Sequence, residues 1–480
     1  MGEVTQTTAQ TSAQTSAQMG AQTGATTGAP TAARTLAVYA AGLRADALPA
    51  PVLARARQCI VDTVGASLFG AGLPWGGIAA GFARQQGGPG SPCRVIGTAV
   101  RSNAAHAALA NGVLAHAFEL DSLRKPGAGV HPGATLWPAA LAIGEELGAD
   151  GRSLLVAFVA GCEVMFRIGA ASRHSSETLG FHAPGLTGPY GAAVVACHLL
   201  GLDAAKTCNA LGIAGSLGGG LLAFAKAGNG AMVKRLHMGR AAEAGVLAAR
   251  LAAEGYEGPD TVLEGQFGFL EAYCRNGDAS RLVRGLGREH ETLTICFKRY
   301  GCHVTAHTPV QSLLELRAEA GFNGDDVASM AIEAGEKVLS HHANAEPVDL
   351  AGAQYSVPFC AALALFDDLT DPSVFSMERV ADPRIRAAAL RVVLEPFGDT
   401  MPGRSAWASR VRVVLKDGRR FERYADDFRG TPASPLSDDE MGAKFMRMAG
   451  RFPAAGKLLE QLMALESLDD CRRLALAAQA

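Results

Sequence analysis

Apolar residues recur at three- and four-residue spacing along much of this chain, which is the pattern of helices with a buried face. The pattern predicts a long succession of helices at residues 35–45, 51–69, 103–118, 136–147, 152–171, 187–200, 203–215 and 237–254. One short strand is expected near residue 95. Many of these segments are rich in Ala and Gly, and small residues let helices pack closely. The sequence therefore predicts a bundle-like, all-helical domain over residues 33–290.

The pattern changes after about residue 290. Short apolar runs at 329–334 and 387–394, together with alternating polar and apolar residues on both sides of Asp417-Gly418, indicate a smaller α+β domain over 291–430. The Asp-Gly pair supplies the positive φ angles of a two-residue hairpin turn. Leucines at near-helical spacing follow within 431–480, where we expect C-terminal helices that pack back on the helical domain.

The first 32 residues are repeats of Thr, Gln, Ala and Gly. They lack the basic and apolar regions of a signal peptide, and they cannot bury enough surface to offset the entropy of ordering. We expect a disordered tail there.

Composition and charge exclude several classes of function. The 44 Lys and Arg nearly balance the 46 Asp and Glu, so bulk electrostatics favours neither nucleic acid nor an anionic membrane as a partner. The most apolar window, 154–171, carries Glu163 and Arg167, which predicts a buried helix and not a membrane span. The ten cysteines form no CxxC pair and lie mainly among apolar residues. They indicate reduced, buried thiols and a reducing compartment, the cytoplasm.

Phosphate and metal signatures are absent from the sequence. The Gly-rich stretch 215–230 contains no GxxxxGK[ST] motif, and we interpret it as helix packing. His303 and His307 are four residues apart and could share a helix face, but no clear third ligand lies near them. There is no HExxH and no zinc-type Cys/His spacing, so we expect no metal.

Polar residues in apolar or Gly-rich surroundings are the best candidates for chemistry. His116, Glu119 and Asp121 form one cluster, and His131 follows directly before Pro132, which favours an extended conformation at the histidine. His182 stands in a similar Gly/Pro segment, GFHAPG, before an apolar helix expected from about residue 190. Each histidine alone is also compatible with a capping or core role. Two in such loops favour a shared active site.

Two cationic groups complete the candidates. Lys234, Arg235 and His237 immediately precede a helix expected to start near Gly239, where they either meet a substrate carboxylate or form a solvated basic turn. The second group lies near the proposed domain boundary, where small-molecule sites concentrate. Its members are Lys298, Arg299, His303 and His307.

In these segments the chain resembles the MmgE/PrpD family, which includes 2-methylcitrate dehydratase, cis-aconitate decarboxylase and iminodisuccinate epimerase. The resemblance runs from about residue 37 to the C-terminus and is carried by the blocks ANGVLAHAFELD, HPGATLWPAALA, FHAPGLTGPYGAAV, VKRLHMGRAAEAG, FKRYGCHVTAH and YSVPFCAALAL. It implies a mainly α fold, with a large all-helical domain and a smaller α+β lid domain. It also implies a homodimer with a cofactor-free site between the domains.

The matching blocks also imply roles for single residues. For catalysis they give His131 and His182 in proton transfer, with Glu119 or Asp121 orienting a histidine. For binding substrate carboxylates they give Lys234, His237, Lys298 and His303.

Two segments depart from the family pattern. Relatives usually read HxLDxDD where this chain has Glu119 in place of the first Asp and Ser122 in place of the third. In the lid, where relatives often place a Tyr before an Arg-Pro pair, this chain has His341 and His342. Both departures fall on substrate-contacting positions, so the identity of the substrate stays open.

The predicted function is that of a cofactor-independent lyase, which dehydrates or decarboxylates a small di- or tricarboxylate. Removing a proton next to a carboxylate creates an enolate-like charge, which lysines or a protonated histidine stabilise, while a neutral histidine suits the base. The alternative is an epimerase of a dicarboxylate such as iminodisuccinate, by reprotonation on the opposite face. A binding protein on the same scaffold is a third possibility, which the retained Lys234, His237, Lys298 and His303 disfavour.

Overall fold

A computed structural model of the protein describes residues 29–225 and 232–477. The predicted tail at 1–32 lies outside these residues except for 29–32, and so does part of the Gly-rich stretch, 226–231. The first part of the chain is helical: α1 (Ala32–Gly42), α2 (Ala50–Ala71), α3 (Pro74–Gln86), α4 (Ala104–Ala115), α5 (Pro132–Leu147), α6 (Gly151–Ser172), α7 (Ala183–Leu199), α8 (Ala204–Leu217), α9 (Val233–Ala253) and α10 (Phe269–Tyr273).

Short strands interrupt these helices. β1 (Cys93–Arg94) pairs with β2 (Arg101–Ser102), so the strand expected near residue 95 is a two-residue ladder. β3 (Leu123–Arg124) pairs antiparallel with β4 (Ile295–Cys296). This second ladder brings residues 118–122, the acidic segment that follows α4, next to the chain that leads to Lys298.

The rest of the chain contains a small mixed sheet with helices around it. The helices are α11 (His307–Ala320), α12 (Glu336–His341), α13 (Leu350–Tyr355), α14 (Val357–Ala364), α15 (Met377–Ala381), α16 (Pro383–Ala389), α17 (Asp438–Ala449) and α18 (Ala455–Met463). The strands are β5 (Val327–Ala334), β6 (Val392–Pro396), β7 (Ser409–Leu415) and β8 (Arg420–Ala425), in the order β6-β5-β7-β8. Only the β5–β6 pair of this sheet is parallel. The prediction of a mainly helical fold with a smaller α+β part is confirmed.

The hairpin around Asp417-Gly418 is present, but its turn differs from the predicted one. The N–H of Gly418 donates to the carbonyl of Leu415, and the N–H of Leu415 donates to the carbonyl of Arg419. Gly418 has a φ of +90°, while Asp417 is not among the positive-φ residues. The loop is therefore a three-residue turn in which only the glycine needs the left-handed region. The apolar run at 387–394 is also divided, between the end of α16 and β6.

The C-terminal helices contact the helical part of the chain. α17 packs on α2, and α18 contacts both. Arg94 forms a buried ion pair with Glu145 of α5 and donates to the carbonyls of Cys471 and Leu474. Buried polar contacts thus join the end of the chain to α5.

Close helix packing depends on glycine at the crossing of α4 and α9. A Cβ on Gly112 would lie 2.7 Å from the Cα of Gly239, and one on Gly239 would lie 2.3 Å from the carbonyl oxygen of Leu109. Only residues without a side chain allow this approach. It brings the start of α9 beside the end of α4.

One described helix, α6, is long and apolar enough to cross a membrane by length and composition alone. In the folded chain 94% of its apolar window is buried, and its Arg167 pairs with Glu163 at 2.7 Å. The prediction of a buried helix is confirmed. All ten cysteines lie within the described residues without a disulfide, and all except Cys274 are buried.

Candidate active site

The acidic segment after α4 has two opposite faces. Phe118 and Leu120 are buried in the apolar core that also contains the sheet, where Phe118 packs on Phe69 with ring centroids 5.0 Å apart. The alternate residues, Glu119 and Asp121, are buried as well but contact charged side chains instead. Since buried carboxylates require partners, the residues around these two acids define the site.

Asp121 holds two histidines with one carboxylate oxygen. Its Oδ2 lies 2.9 Å from Nδ1 of His116 and 2.7 Å from Nδ1 of His131. An ionised carboxylate only accepts hydrogen bonds, so both Nδ1 atoms carry the proton and both Nε2 atoms are left as acceptors. The carbonyl of Ser122, 3.1 Å from Nδ1 of His131, favours the same tautomer. This arrangement prepares the imidazole of His131 to act as a base.

The position of His131 at the start of α5 leaves its side chain available to act as a base. It is the N-cap residue of α5, with Pro132 in the first turn, but its side chain makes no capping hydrogen bond. His182 occupies the same position at the start of α7, also without a capping bond. The capping alternative for these two histidines is therefore wrong. α7 begins at Ala183, earlier than expected, so His182 directly precedes the helix.

Glu119 binds cations and does not orient a histidine. It forms an ion pair with Lys234, lies 3.0 Å from Nη1 of Arg235 and accepts a 2.8 Å hydrogen bond from Lys298. Lys298 also lies 3.4 Å from Oδ1 of Asp121. Of the two acids predicted to orient a histidine, the described contacts give that role to Asp121 alone. The site carries three cationic side chains against two carboxylates, a surplus of positive charge that suits an anionic substrate.

Lys234, Arg235 and His237 lie inside a helix, which corrects the prediction that they precede one. α9 starts at Val233, so all three belong to its first two turns and are buried. The interpretation as a solvated basic turn is therefore wrong. The free N–H groups at a helix start attract anions, and here they add to the charge of the lysine.

His182 and His237 form a pair across 55 positions of the sequence. Their Nδ1 atoms are 2.9 Å apart, so one ring donates and the other accepts, and the pair shares one proton between these atoms. The ring of His182 lies 6.4 Å from that of His116. Gly220, with a φ of +136°, lies against the other side: a Cβ there would be 3.1 Å from Nδ1 of His237. The described part of the Gly-rich stretch thus also lines the site.

Two further residues near the site, His342 and Tyr355, were not assigned a role from the sequence. The ring of His303 stacks on that of His342, with centroids 4.2 Å apart, and lies 4.9 Å from Tyr355. Nζ of Lys234 lies 5.0 Å from the Tyr355 ring centroid, which joins this group to the cations. Nδ1 of His342 donates to the carbonyl of Tyr355, and its buried Nε2 has no partner within residues 29–225 and 232–477. The sequence features that could have identified them are the departure from the family pattern at His341 and His342 and the YSVPF motif that contains Tyr355.

His307 does not share a face with His303. His303 precedes a short 3-10 turn, Val304–Ala306, and His307 starts α11 after it. Nε2 of His307 accepts the backbone N–H groups of Arg299 and Tyr300, which is a structural role. Among the described residues, the ligand atoms of His116, Asp121 and His131 lie within 4.8 Å of one another and are the group that could hold a metal ion. Hydrogen bonds already account for their closeness, and the expectation of a metal-free site stays a prediction.

Burial and charge set the protonation states. Burial lowers the pKa of His116 to about 3 against the opposing effect of Asp121, and it lowers those of His182 and His303 well below the ordinary value. Burial also lowers the pKa of Lys234, to about 8, although Glu119 opposes it. For Glu119, burial acts to raise the pKa, but the adjacent cations outweigh it and hold it well below its usual range. The site at neutral pH thus combines neutral imidazoles with ionised carboxylates.

Comparison with known proteins shows the family of this chain. The MmgE/PrpD N-terminal domain model matches residues 34–282, and the MmgE/PrpD C-terminal domain model matches 300–469. Cis-aconitate decarboxylase from Homo sapiens is 28% identical over 451 residues, covering 90% of this chain and 91% of the relative. The enzyme of the same name from Aspergillus terreus strain NIH 2624 is 29% identical over 458 residues, with coverages of 90% and 92%. With both domain models matched across most of its length, this chain belongs to the MmgE/PrpD family.

Proposed function

We propose that this protein is a cofactor-independent lyase that acts on a small polycarboxylate, with decarboxylation of a tricarboxylate as the leading reaction. The single observation that carries the proposal is the joint arrangement around the acidic segment. Asp121 holds two imidazoles, and Lys234, Arg235 and Lys298 lie beside them with more positive charge than the acids neutralise. The names of the related decarboxylases support the tricarboxylate.

Decarboxylation and dehydration would use the same imidazole and lysine side chains. In decarboxylation the bond to one carboxylate breaks, CO2 leaves, and the electron pair stays on carbon as an enolate-like anion, which then takes a proton from a histidine that has gained it from solvent. In dehydration Nε2 of a neutral histidine removes a C–H proton, and the hydroxyl leaves as water after it takes a proton from a second histidine that has gained it from solvent. In both, Lys234 and Lys298 stabilise the charge that develops on the remaining carboxylates.

His131 is the best-placed base, because Asp121 and the Ser122 carbonyl fix its tautomer with Nε2 unprotonated. The proton shared between His182 and His237 leaves Nε2 of one ring as a donor and Nε2 of the other as an acceptor, so this pair supplies the second proton-transfer group. Two imidazole groups near one substrate also suit an epimerase, in which one removes a proton and the other returns it to the opposite face. That reaction is the second candidate function.

The experiment is NMR of the purified enzyme in D2O with 2-methylcitrate, citrate, cis-aconitate and iminodisuccinate, one at a time. Loss of CO2 or new vinyl signals supports the lyase and identifies the substrate. Deuterium exchange at an α-carbon without elimination favours the epimerase. Absence of any reaction across the panel contradicts both, and a His131→Asn variant with unchanged turnover contradicts the assigned site.

Two further properties belong to this proposal. The unpaired, mainly buried thiols support a reducing compartment, the cytoplasm. The homodimer implied by the family is tested by light scattering of the eluting protein, where the mass of one chain, 49.6 kDa, would contradict it.

A further inference from the structure

A buried lysine of the C-terminal helix α17, Lys444, contacts the backbone of the acidic segment. Nζ of Lys444 forms an ion pair with Asp62 of α2 and donates a 3.0 Å hydrogen bond to the carbonyl of Leu120. Leu120 is the residue between Glu119 and Asp121. Both members of the pair are buried, with side chains 7% and 0% exposed.

The pair is poorly explained as a device for stability alone. Removing two charges from water costs free energy that is recovered only when the remaining polar atoms are also satisfied, and here Oδ2 of Asp62 has no partner among the described residues. The bond from Lys444 to the Leu120 carbonyl is the contact that joins this pair to the site. It reaches the backbone at Leu120, between the two acidic residues.

The same face of α2 supports the next part of the segment. Sγ of Cys59 lies 3.1 Å from Oγ of Ser122, and that hydroxyl accepts the N–H of Gly133 at 3.2 Å. α2 therefore contacts the chain on both sides of Asp121: directly at Ser122, and through Lys444 at Leu120. The backbone that carries Asp121 is held at two points.

We infer that Lys444 is a positioning residue, which fixes the backbone between Glu119 and Asp121 so that the first meets the lysines and the second meets the histidines. The inference rests on the proposed function for its catalytic consequence. It does not require Lys444 to touch substrate. A misplacement of about 1 Å in such a group costs on the order of 100-fold in rate.

The test compares two buried ion pairs that both join C-terminal residues to the helical part. Lys444→Met and the charge-neutral double variant Asp62→Asn/Lys444→Met remove the contact with Leu120. The matched control, Arg94→Met/Glu145→Gln, removes a pair of similar burial that bonds to Cys471 and Leu474 and not to the acidic segment. We expect all variants to lower Tm, but only the Lys444 variants to lower kcat, by about 100-fold, with KM changed much less.

A second readout works without turnover. Nδ1 of His116 is hydrogen-bonded to Asp121, and Nδ1 of His131 is hydrogen-bonded to the Ser122 carbonyl and lies 2.7 Å from Asp121. In labelled protein the two Nδ1 protons are assigned with His116→Asn and His131→Asn. We expect Lys444→Met to shift or broaden these two signals and the control pair to leave them unchanged. Lys444→Arg, which keeps a donor, should restore part of both readouts.

The outcomes distinguish the positioning role of Lys444 from the proposed lyase function. If the double variant keeps the wild-type kcat and both Nδ1 signals, or if the control pair loses as much of both, Lys444 has no positioning role. If the wild-type enzyme turns over nothing in the substrate panel, the proposed function is wrong, and the two Nδ1 signals still decide whether Lys444 orders the acidic segment.

Discussion

Oδ2 of Asp121 lies 2.7 Å from Nδ1 of His131, and the same oxygen accepts a second imidazole from His116. The carboxylate thus fixes one tautomer in both rings and stabilises either ring when it gains a proton. Replacing Asp121 by Asn keeps the shape but removes the charge, and the amide can turn a donor toward the ring. We expect kcat to fall by about 1,000-fold or more with a folded protein.

Steady-state kinetics and circular dichroism of Asp121→Asn check this expectation. Asp469→Asn is the control, since Asp469 is 67% exposed. A variant of Asp121 that keeps the wild-type kcat would remove the case for a charged orienting group.

Lys234 supplies positive charge only while it is protonated. Burial lowers its pKa to about 8, so the charge is present below that pH and is lost as the pH rises through it. If the charge binds a substrate carboxylate, kcat/KM of the wild-type enzyme should fall above about pH 8. Lys234→Arg should move that limb to higher pH, and Lys234→Met should lower kcat/KM by about 100-fold at pH 7.

The pH profile of kcat/KM is the measurement for Lys234. Lys457→Met, at an exposed position of α18, controls for the loss of a positive charge. A flat wild-type profile between pH 7 and pH 9 would contradict the role given to Lys234.

His342 offers a buried acceptor, Nε2, that has no partner in the part of the chain that the structure describes. Its Nδ1 donates to the carbonyl of Tyr355, so Nε2 is unprotonated, and burial lowers the pKa to about 4. His342→Phe keeps a ring against His303 but removes this acceptor. If a substrate donor group fills it, KM should rise by about tenfold, because one hydrogen bond is lost. His341→Phe, at the exposed neighbour, is the control, and equal effects of both variants would exclude recognition by His342.

Metal removal distinguishes a hydrogen-bonded cluster from a metal site. Nδ1 of His116 and Nδ1 of His131 already lie within 2.9 Å of Asp121 without a metal, so we expect activity to survive dialysis against EDTA. Metal analysis of the dialysed protein accompanies the assay. Loss of turnover with recovery on one divalent ion would identify this cluster as a metal centre.

Acid should destabilise the folded protein through its buried, neutral histidines. The pKa values of His116 and His342, about 3 and about 4, lie below their unfolded value of about 6.5. Between these values the unfolded chain binds more protons than the folded one, so stability falls as the pH falls. Tm measured from pH 7 to pH 5 should decrease, with a shallower slope in His342→Asn. A constant Tm would contradict neutral, buried histidines.

Local patterns in the sequence determined most of the helical scaffold. Spacing of apolar residues gave the helices around His131 and His182, because a buried helix face requires a period of 3.6 residues. The spacing did not predict the first turns of α9. Lys234, Arg235 and His237 are polar and were predicted to precede a helix, but they lie within α9, where Lys234 contacts Glu119 and a glycine crossing brings the helix close to α4. The order of the sequence motifs indicated the family, and these motifs contain the residues that meet in the site.

Only the tertiary structure decided which of these residues act on which. Asp121 and Glu119 are two positions apart, yet Asp121 contacts both histidines and Glu119 contacts Lys234 and Arg235, while Lys298 contacts both acids. The pairing of His182 with His237 and the reach of Lys444 to Leu120 join positions 55 and 324 apart in sequence. No local pattern encodes such contacts, since they depend on how the helices pack.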